Sequence, residues 1–219
     1  MERPDIVLFD LDGVIVDSRV PFARSVNAAL VAHELPPRPQ HELYQYLGPP
    51  LHGTFELLAG RGPIADSCVD AYRQRYAALA ATETTVFPGM REALELASSR
   101  LPLVVATSKA AALADPLLVA LGLRDLFDAV VGPSLEAKNE PKAVTIERAL
   151  SNVSADSRAV MVGDRHYDVE AASEHGIPTF GVLWGIGTAK ELRQAGAEAL
   201  VRSPAELISM LGLADDPGP

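Results

Sequence analysis

The stretch Ile6-Val7-Leu8-Phe9-Asp10-Leu11-Asp12-Gly13-Val14 decides the fold. Four apolar residues in a row run into a carboxylate, a second acid stands two positions later, and a glycine breaks the run. An unbroken apolar segment, as opposed to an alternating one, reads as the central strand of a parallel sheet with helices on both faces. Open sheets of that kind bind ligands in the crevice beyond the carboxyl ends of their strands. Two acids at such a point are costly unless they hold a metal or take part in chemistry.

Beyond this strand the pattern is helical for some seventy positions. Residues 20–33 place Phe22, Val26, Ala29 and Leu30 on one face. Leu35-Pro36-Pro37-Arg38-Pro39 breaks that helix, and shorter helical patterns are expected at 41–46, 51–58 and 67–81. No strand signal is legible between residues 16 and 86, so this block reads as a small helical domain inserted after the first strand, with hinges near residues 16–18 and 84–88. From Phe87-Pro88-Gly89 onward, helices and strands alternate. Helices are expected at 90–99, 110–121, 142–150 and 168–175, and strands at 103–107, 129–131, 159–162 and 179–183, before a short final strand and a helix ending near 211. Such alternation means βαβ units and a parallel sheet. The expected architecture is α/β: a Rossmann-like parallel-sheet core, residues 1–15 and 87–219, with a helical cap, residues 16–86, and a frayed tail from 214.

Composition bounds the function. With 219 residues the chain can form one substantial core plus a small insertion. A net charge of −10 argues against a nucleic-acid reader and against anionic membrane surfaces, but not against small phosphorylated ligands held by a local site. Cys68 is the only cysteine, which excludes a disulfide framework and a thiolate zinc site. The N-terminus lacks a basic leader, and no apolar run approaches a membrane span. The expectation is a cytoplasmic protein, monomeric or homodimeric, acting on a small molecule, with no nucleic-acid or membrane partner.

Polar groups gather at the expected strand ends: Asp10 and Asp12, then Thr107 and Ser108, then Asp164 with Asp168, with Lys142 at a loop-to-helix junction. Taken together, Phe9-Asp10-Leu11-Asp12-Gly13-Val14, Ala106-Thr107-Ser108-Lys109, Lys142 and Val162-Gly163-Asp164-Arg165-His166-Tyr167-Asp168 resemble the ordered motifs of the haloacid dehalogenase-like hydrolase superfamily. Gly48-Pro49-Pro50-Leu51 and Gly132-Pro133-Ser134-Leu135 are similar to its phosphoglycolate phosphatase and 5′-nucleotidase-like branch. The resemblance spans essentially the whole chain. It implies a Mg²⁺-dependent phosphatase acting on a small phosphorylated metabolite. Asp10 would be the nucleophile and Asp12 the general acid and base. The metal would be held by Asp10 and Asp164 through side chains, by Asp12 through its carbonyl, and with support from Asp168. Thr107, Ser108 and Gly13 would face the phosphoryl group, Lys142 would add positive charge beside it, and Gly48, Leu51 and His52 of the cap would face the leaving group. Dehalogenating relatives lack the acid at the position of Asp12, so its presence favours phosphate chemistry.

Alternatives remain at this point. A phosphomutase of the β-phosphoglucomutase type shares the same motifs. A phospho-aspartate receiver or a non-catalytic regulatory homologue is the reading from another class; the large insertion and the intact motif positions argue against both. Lys109 and Lys138 read as surface lysines, and Tyr72 with Tyr76 as cap core. Arg165, His166 and Tyr167 read as groups at the edge of the site. The other histidines show no metal-ligand spacing, and Gly185-Ile186-Gly187 is a weak phosphate-binding signal.

Overall fold

The structure, a computed structural model, describes residues 3–151, 154 and 156–214. The tail expected beyond 214 therefore lies outside the described residues. Strand β1 (Ile6–Phe9) is buried along its whole length. It lies at the middle of a six-stranded sheet, between β4 (Leu103–Ala106) and β6 (Ala159–Gly163). Outside these are β5 (Ala129–Val131) on one side and β7 (Thr179–Val182), then β8 (Ala199–Val201), on the other. Every pairing in this sheet is parallel, with Leu8 level with both Val104 and Met161.

The unbroken apolar run of β1 follows from burial on both faces. Val7 and Phe9 point into one cluster, which includes Met90 and Leu94 of α5 (Met90–Ser98), Leu117 and Leu118 of α6 (Ala111–Ala120) and Leu207 of α10 (Pro204–Met210). Ile6 and Leu8 point the other way, with Ile146 of α7 (Lys142–Leu150) and Ala172 of α8 (His166–Ser173). Helix α9 (Ala189–Ala195) connects β7 to β8. Phe9 is 1% exposed and sits one residue before Asp10, so truncating it to alanine would cost about 3–5 kcal/mol and loosen the floor of the site.

The chain leaves β1 toward β4 on one side and later returns to β6 on the other. That reversal of strand order opens a crevice at the carboxyl end of β1. The segment 19–83 above it is built from helices joined by short connections: α1 (Arg19–Ala32), α2 (Gln40–Leu43), α3 (Leu51–Ala59) and α4 (Pro63–Glu83), with a 3₁₀ turn at Tyr44–Tyr46. Helix α4 packs against α1 and α3 around an aromatic group in which Phe22 and Phe55 meet the ring of Tyr72 edge-on.

Three details differ from the sequence reading. The segment 16–86, expected to contain no strand, begins and ends in one: β2 (Val16–Asp17) pairs antiparallel with β3 (Thr85–Val86). Two residues carry no periodicity, and the pairing is formed across nearly seventy positions. Helix α4 starts at Pro63, four residues earlier than expected, because proline is tolerated in the first turn, where its missing N–H has no helical acceptor. Helix α8 starts at His166, two residues early, which places Asp168 inside its first turn.

Candidate active site

Asp10 continues β1 by donating its backbone N–H to the Val162 carbonyl (2.9 Å), and its carboxylate is buried at the strand end. Gly13 then turns the chain with φ +86°; a Cβ there would lie 2.2 Å from Oδ2 of Asp164, so only glycine lets the two strand ends approach. Gly185 backs the same carboxylate, since its Cβ would stand 2.4 Å from that oxygen. The Ile186 N–H donates to Asp164 Oδ2 at 2.7 Å. The Gly185-Ile186-Gly187 turn thus grips a side chain of the site, and the weak phosphate-loop signal has a structural explanation. Trp184 holds that turn to the first loop through Nε1–H to the Val14 carbonyl (3.0 Å).

Asp168 caps its own helix. Its Oδ2 accepts the N–H groups of Asp164 (3.1 Å) and Arg165 (2.9 Å), and its Oδ1 accepts from Lys142. The Lys142 ammonium also lies 3.0 Å from Asp10 Oδ1. Burial works against its charge, but the carboxylates of Asp10 and Asp168 outweigh burial and raise its pKa above the usual lysine value. Among the described residues, Asp10, Asp164 and Asp168 form one buried acidic group whose ligand atoms lie within 4.8 Å of one another.

That group fits a metal. Oδ1 of Asp164 is buried and has no hydrogen-bond partner among the described residues, an arrangement that costs free energy unless a cation takes the oxygen. The electrostatics agree. Burial, with the charges of Asp168 and Asp12 adding to it and Lys142 opposing, pushes the Asp10 carboxyl up to about 6 from an ordinary value of 3.8. Burial and the neighbouring carboxylates raise Asp164 in the same direction. A set of oxygen donors this compact suits a hard dication such as Mg²⁺.

On the open side, a cavity of about 330 Å³ separates the strand ends from the helical segment. Asp10, Asp12, Thr107 and Ser108 line its floor; Gly48, Leu51, His52, Phe22 and Tyr72 line its upper wall. Asp164, Asp168, Lys142 and Gly13 lie outside that lining, so the residues singled out in the sequence divide into a layer that meets the cavity and a layer behind it. His52 is engaged within the helical segment: Nε2 is 2.8 Å from Asp66 Oδ1, and Glu56 lies 3.8 Å from Nδ1.

Of the two lysines expected at the surface, only one is found there. Lys138 does lie near the surface, paired with Asp66 at 2.6 Å. Lys109 does not: its side chain is 7% exposed, and its Nζ is 2.7 Å from Asp12 Oδ2 and 2.9 Å from the Tyr76 hydroxyl. Asp12 and Tyr76 lie far from Lys109 in sequence, so no local pattern reveals the contact; the one available signal was its position directly after the Thr107-Ser108 strand end. Ser18 donates its hydroxyl to Asp12 Oδ1, a contact that no local pattern in the sequence marks.

A family model described as haloacid dehalogenase-like hydrolase matches residues 7–182. The tyrosine-protein kinase PtkA of Mycobacterium tuberculosis is 36% identical over 191 residues, which cover 86% of this chain and 65% of that protein. The chain therefore spans just under two thirds of the length of that relative. The phosphoglycolate phosphatase of Chromobacterium violaceum is 34% identical over 214 residues, 94% of this chain and 95% of its own. A crystal structure of a protein described as a predicted phosphatase from Clostridium acetobutylicum superposes with a TM-score of 0.89 at 34% identity, covering 96% of this chain and 99% of that one.

Proposed function

Since the chain belongs to the haloacid dehalogenase-like hydrolase family, we propose that it is a Mg²⁺-dependent phosphatase that hydrolyses a small phosphorylated metabolite through an aspartyl-phosphate on Asp10. The observation that carries the reading is the buried trio Asp10, Asp164 and Asp168 beside Lys142, opening through Asp10 onto the cavity. A phosphate monoester dianion repels an attacking carboxylate. A Mg²⁺ ion held by Asp10, Asp164 and the Asp12 carbonyl, with Asp168 bracing the loop, would supply the positive charge that offsets this repulsion.

The chain's own groups do the rest. An Asp10 carboxylate oxygen attacks phosphorus and the ester P–O bond breaks, giving an acyl-phosphate and splitting one hard displacement into two. Asp12 gives a proton to the departing alkoxide and then removes one from the water that attacks the acyl-phosphate. The P–O bond to Asp10 breaks, inorganic phosphate leaves and Asp10 is restored. Lys142, the Thr107 hydroxyl and the Ser108 N–H stabilise the charge that spreads over the phosphoryl oxygens. The helical segment serves as a cap, and the Gly48–His52 wall reads the leaving group. A cavity of about 330 Å³ admits a metabolite of modest size, and the relative named phosphoglycolate phosphatase makes phosphoglycolate the first compound to try, with nucleotides and sugar phosphates next.

The test is phosphate release from a phosphometabolite panel with Mg²⁺, repeated with Asp10→Asn. We expect turnover by the native protein, none in EDTA, and none by the folded variant, because an amide is a very poor nucleophile. If Asp10→Asn keeps a substantial share of kcat, the nucleophile has been misassigned. Transfer of the phosphoryl group to a side chain or a second hydroxyl in place of water would point to a transferase.

A further inference from the structure

We infer that Lys109 is the positioning residue of the Asp12 carboxylate, and that Tyr76 makes the helical segment part of the same device. This deepens the reading above and rests on the acid/base role it gives to Asp12.

The three residues come from three parts of the chain. Asp12 follows β1, Lys109 follows β4, and Tyr76 lies on α4. Both oxygens of Asp12 are engaged: Oδ1 accepts the Ser18 hydroxyl, next to the hinge strand β2, and Oδ2 pairs with the Lys109 ammonium at 2.7 Å. A carboxylate held at both oxygens cannot rotate away from the cavity it lines. Placement matters here, because one carboxylate has to reach both a leaving oxygen and, later, an attacking water, each within ~3 Å. Small displacements of a reacting group cost large factors in rate.

Lys109 is itself held. Its ammonium donates to the Tyr76 hydroxyl at 2.9 Å and lies 4.3 Å from that ring's centroid. Tyr76 is 1% exposed and stacks on Tyr72, with centroids 5.4 Å apart and planes 14° apart. An ammonium this buried needs partners, and here one belongs to the core and the other to the helical segment. The segment joins the core through β2 and β3. Motion on those strands would carry Tyr76 away from Lys109 and leave Asp12 with a weakened anchor. The acid/base group is thus fully braced only when the segment is seated over the cavity.

The rival role for Lys109 is direct contact with the substrate, since it also borders the cavity. Kinetics separate the two. Lys109→Met, Lys109→Arg and Tyr76→Phe would be made in the native chain and in Asp12→Asn, and assayed with phenyl phosphate and p-nitrophenyl phosphate. Circular dichroism and melting would confirm folding, and Lys109→Arg and Tyr76→Phe carry the test if Lys109→Met does not fold. For positioning, we expect Lys109→Met to lower kcat on phenyl phosphate by about 10- to 100-fold. The loss should be smaller on p-nitrophenyl phosphate, whose leaving group needs little protonation, and KM should change little. Lys109→Arg should recover most of the loss, and Tyr76→Phe should show the same leaving-group dependence more weakly. In Asp12→Asn, where there is no carboxylate to position, Lys109→Met should add less than about threefold. Losses that multiply in the Asp12→Asn background, a rise in KM with kcat unchanged, or equal losses on the two esters would overturn the inference. If Asp12→Asn alone left phenyl phosphate turnover intact, the failure would instead lie with the acid/base reading.

Discussion

In EDTA, the stability of this protein should fall as pH rises from 5 to 7.5, and Mg²⁺ should abolish the fall. The perturbation is the removal of the cation from the acid group around Asp10. Burial, reinforced by Asp168 and Asp12, raises that carboxyl to about 6, against 3.8 for an ordinary aspartate. The folded chain therefore keeps a proton that the unfolded chain has already released. Stability is then greatest below the unfolded value and declines as pH rises through the folded one. A separation of about 2 units corresponds to roughly 3 kcal/mol in all, and about half of it falls above pH 5. For a chain of 219 residues, that half lowers the melting temperature by about 3–6 °C.

Asp164 is shifted in the same direction and steepens the trend. Glu191 acts oppositely, because His166 and Arg165 outweigh its burial and hold it down at about 2; but its contribution is lost between the ordinary value of 4.5 and 2, below the window in question. The assay is urea unfolding followed by circular dichroism from pH 5 to 7.5, in EDTA and in excess Mg²⁺, with Asp10→Asn alongside. In EDTA the midpoint should fall more steeply for the native chain than for the variant, which keeps the smaller decline that buried Asp164 contributes. With Mg²⁺ the native midpoint should hold or rise, because the cation takes the place of the proton and binds better as protons leave. A native midpoint in EDTA that rises with pH, or that tracks the variant, would refute the electrostatic account of this site.

Other outcomes follow from single contacts. Asp164→Ala should raise the Mg²⁺ concentration needed for half-maximal phosphate release steeply, since it removes an acid whose buried Oδ1 has no hydrogen-bond partner among the described residues; a metal titration measures it. Gly13→Ala should cost about 1–2 kcal/mol for the positive φ alone, and because its Cβ would stand 2.2 Å from Asp164 Oδ2 it should also weaken metal binding, read by the same titration together with a urea midpoint. His52→Ala and Leu51→Ala should change the ranking of phosphometabolites by kcat/KM while leaving p-nitrophenyl phosphate almost unchanged; equal losses on every substrate would mean that this wall closes the site without reading the leaving group.

What the sequence reveals and what it hides divide along physical lines. The alternation of apolar runs and helical periods from residue 87 onward is local, and each strand end carries its polar residue beside it, so Asp10, Thr107 and Asp164 could be assigned to a single crevice before any contact was known. Lys142 is less legible, because its own neighbours, Pro141 and Ala143, describe only the start of a helix; only its order among the motifs marks it. The features that stayed hidden are made entirely by tertiary approach. The strands β2 and β3 exist only because each meets the other. Gly185 and Gly187 resembled a phosphate loop because glycine marks any close approach of backbone, and here the approaching group is Asp164.

Lys109 shows the limit most clearly. A lysine beside a serine at a strand end is solvated in most proteins, and nothing near it in sequence argues otherwise; its partners lie 33 positions away at Tyr76 and nearly a hundred away at Asp12. What changes its meaning is the helical segment folded over it, which removes the water and supplies the tyrosine. A charge brought under cover in this way must be paired on every side that water has left, and the groups that pair it come from both halves of the molecule. The same ammonium that stabilises the seated segment therefore also fixes the carboxylate on the cavity floor, and the sequence could not separate these two roles because folding assigns them to one atom.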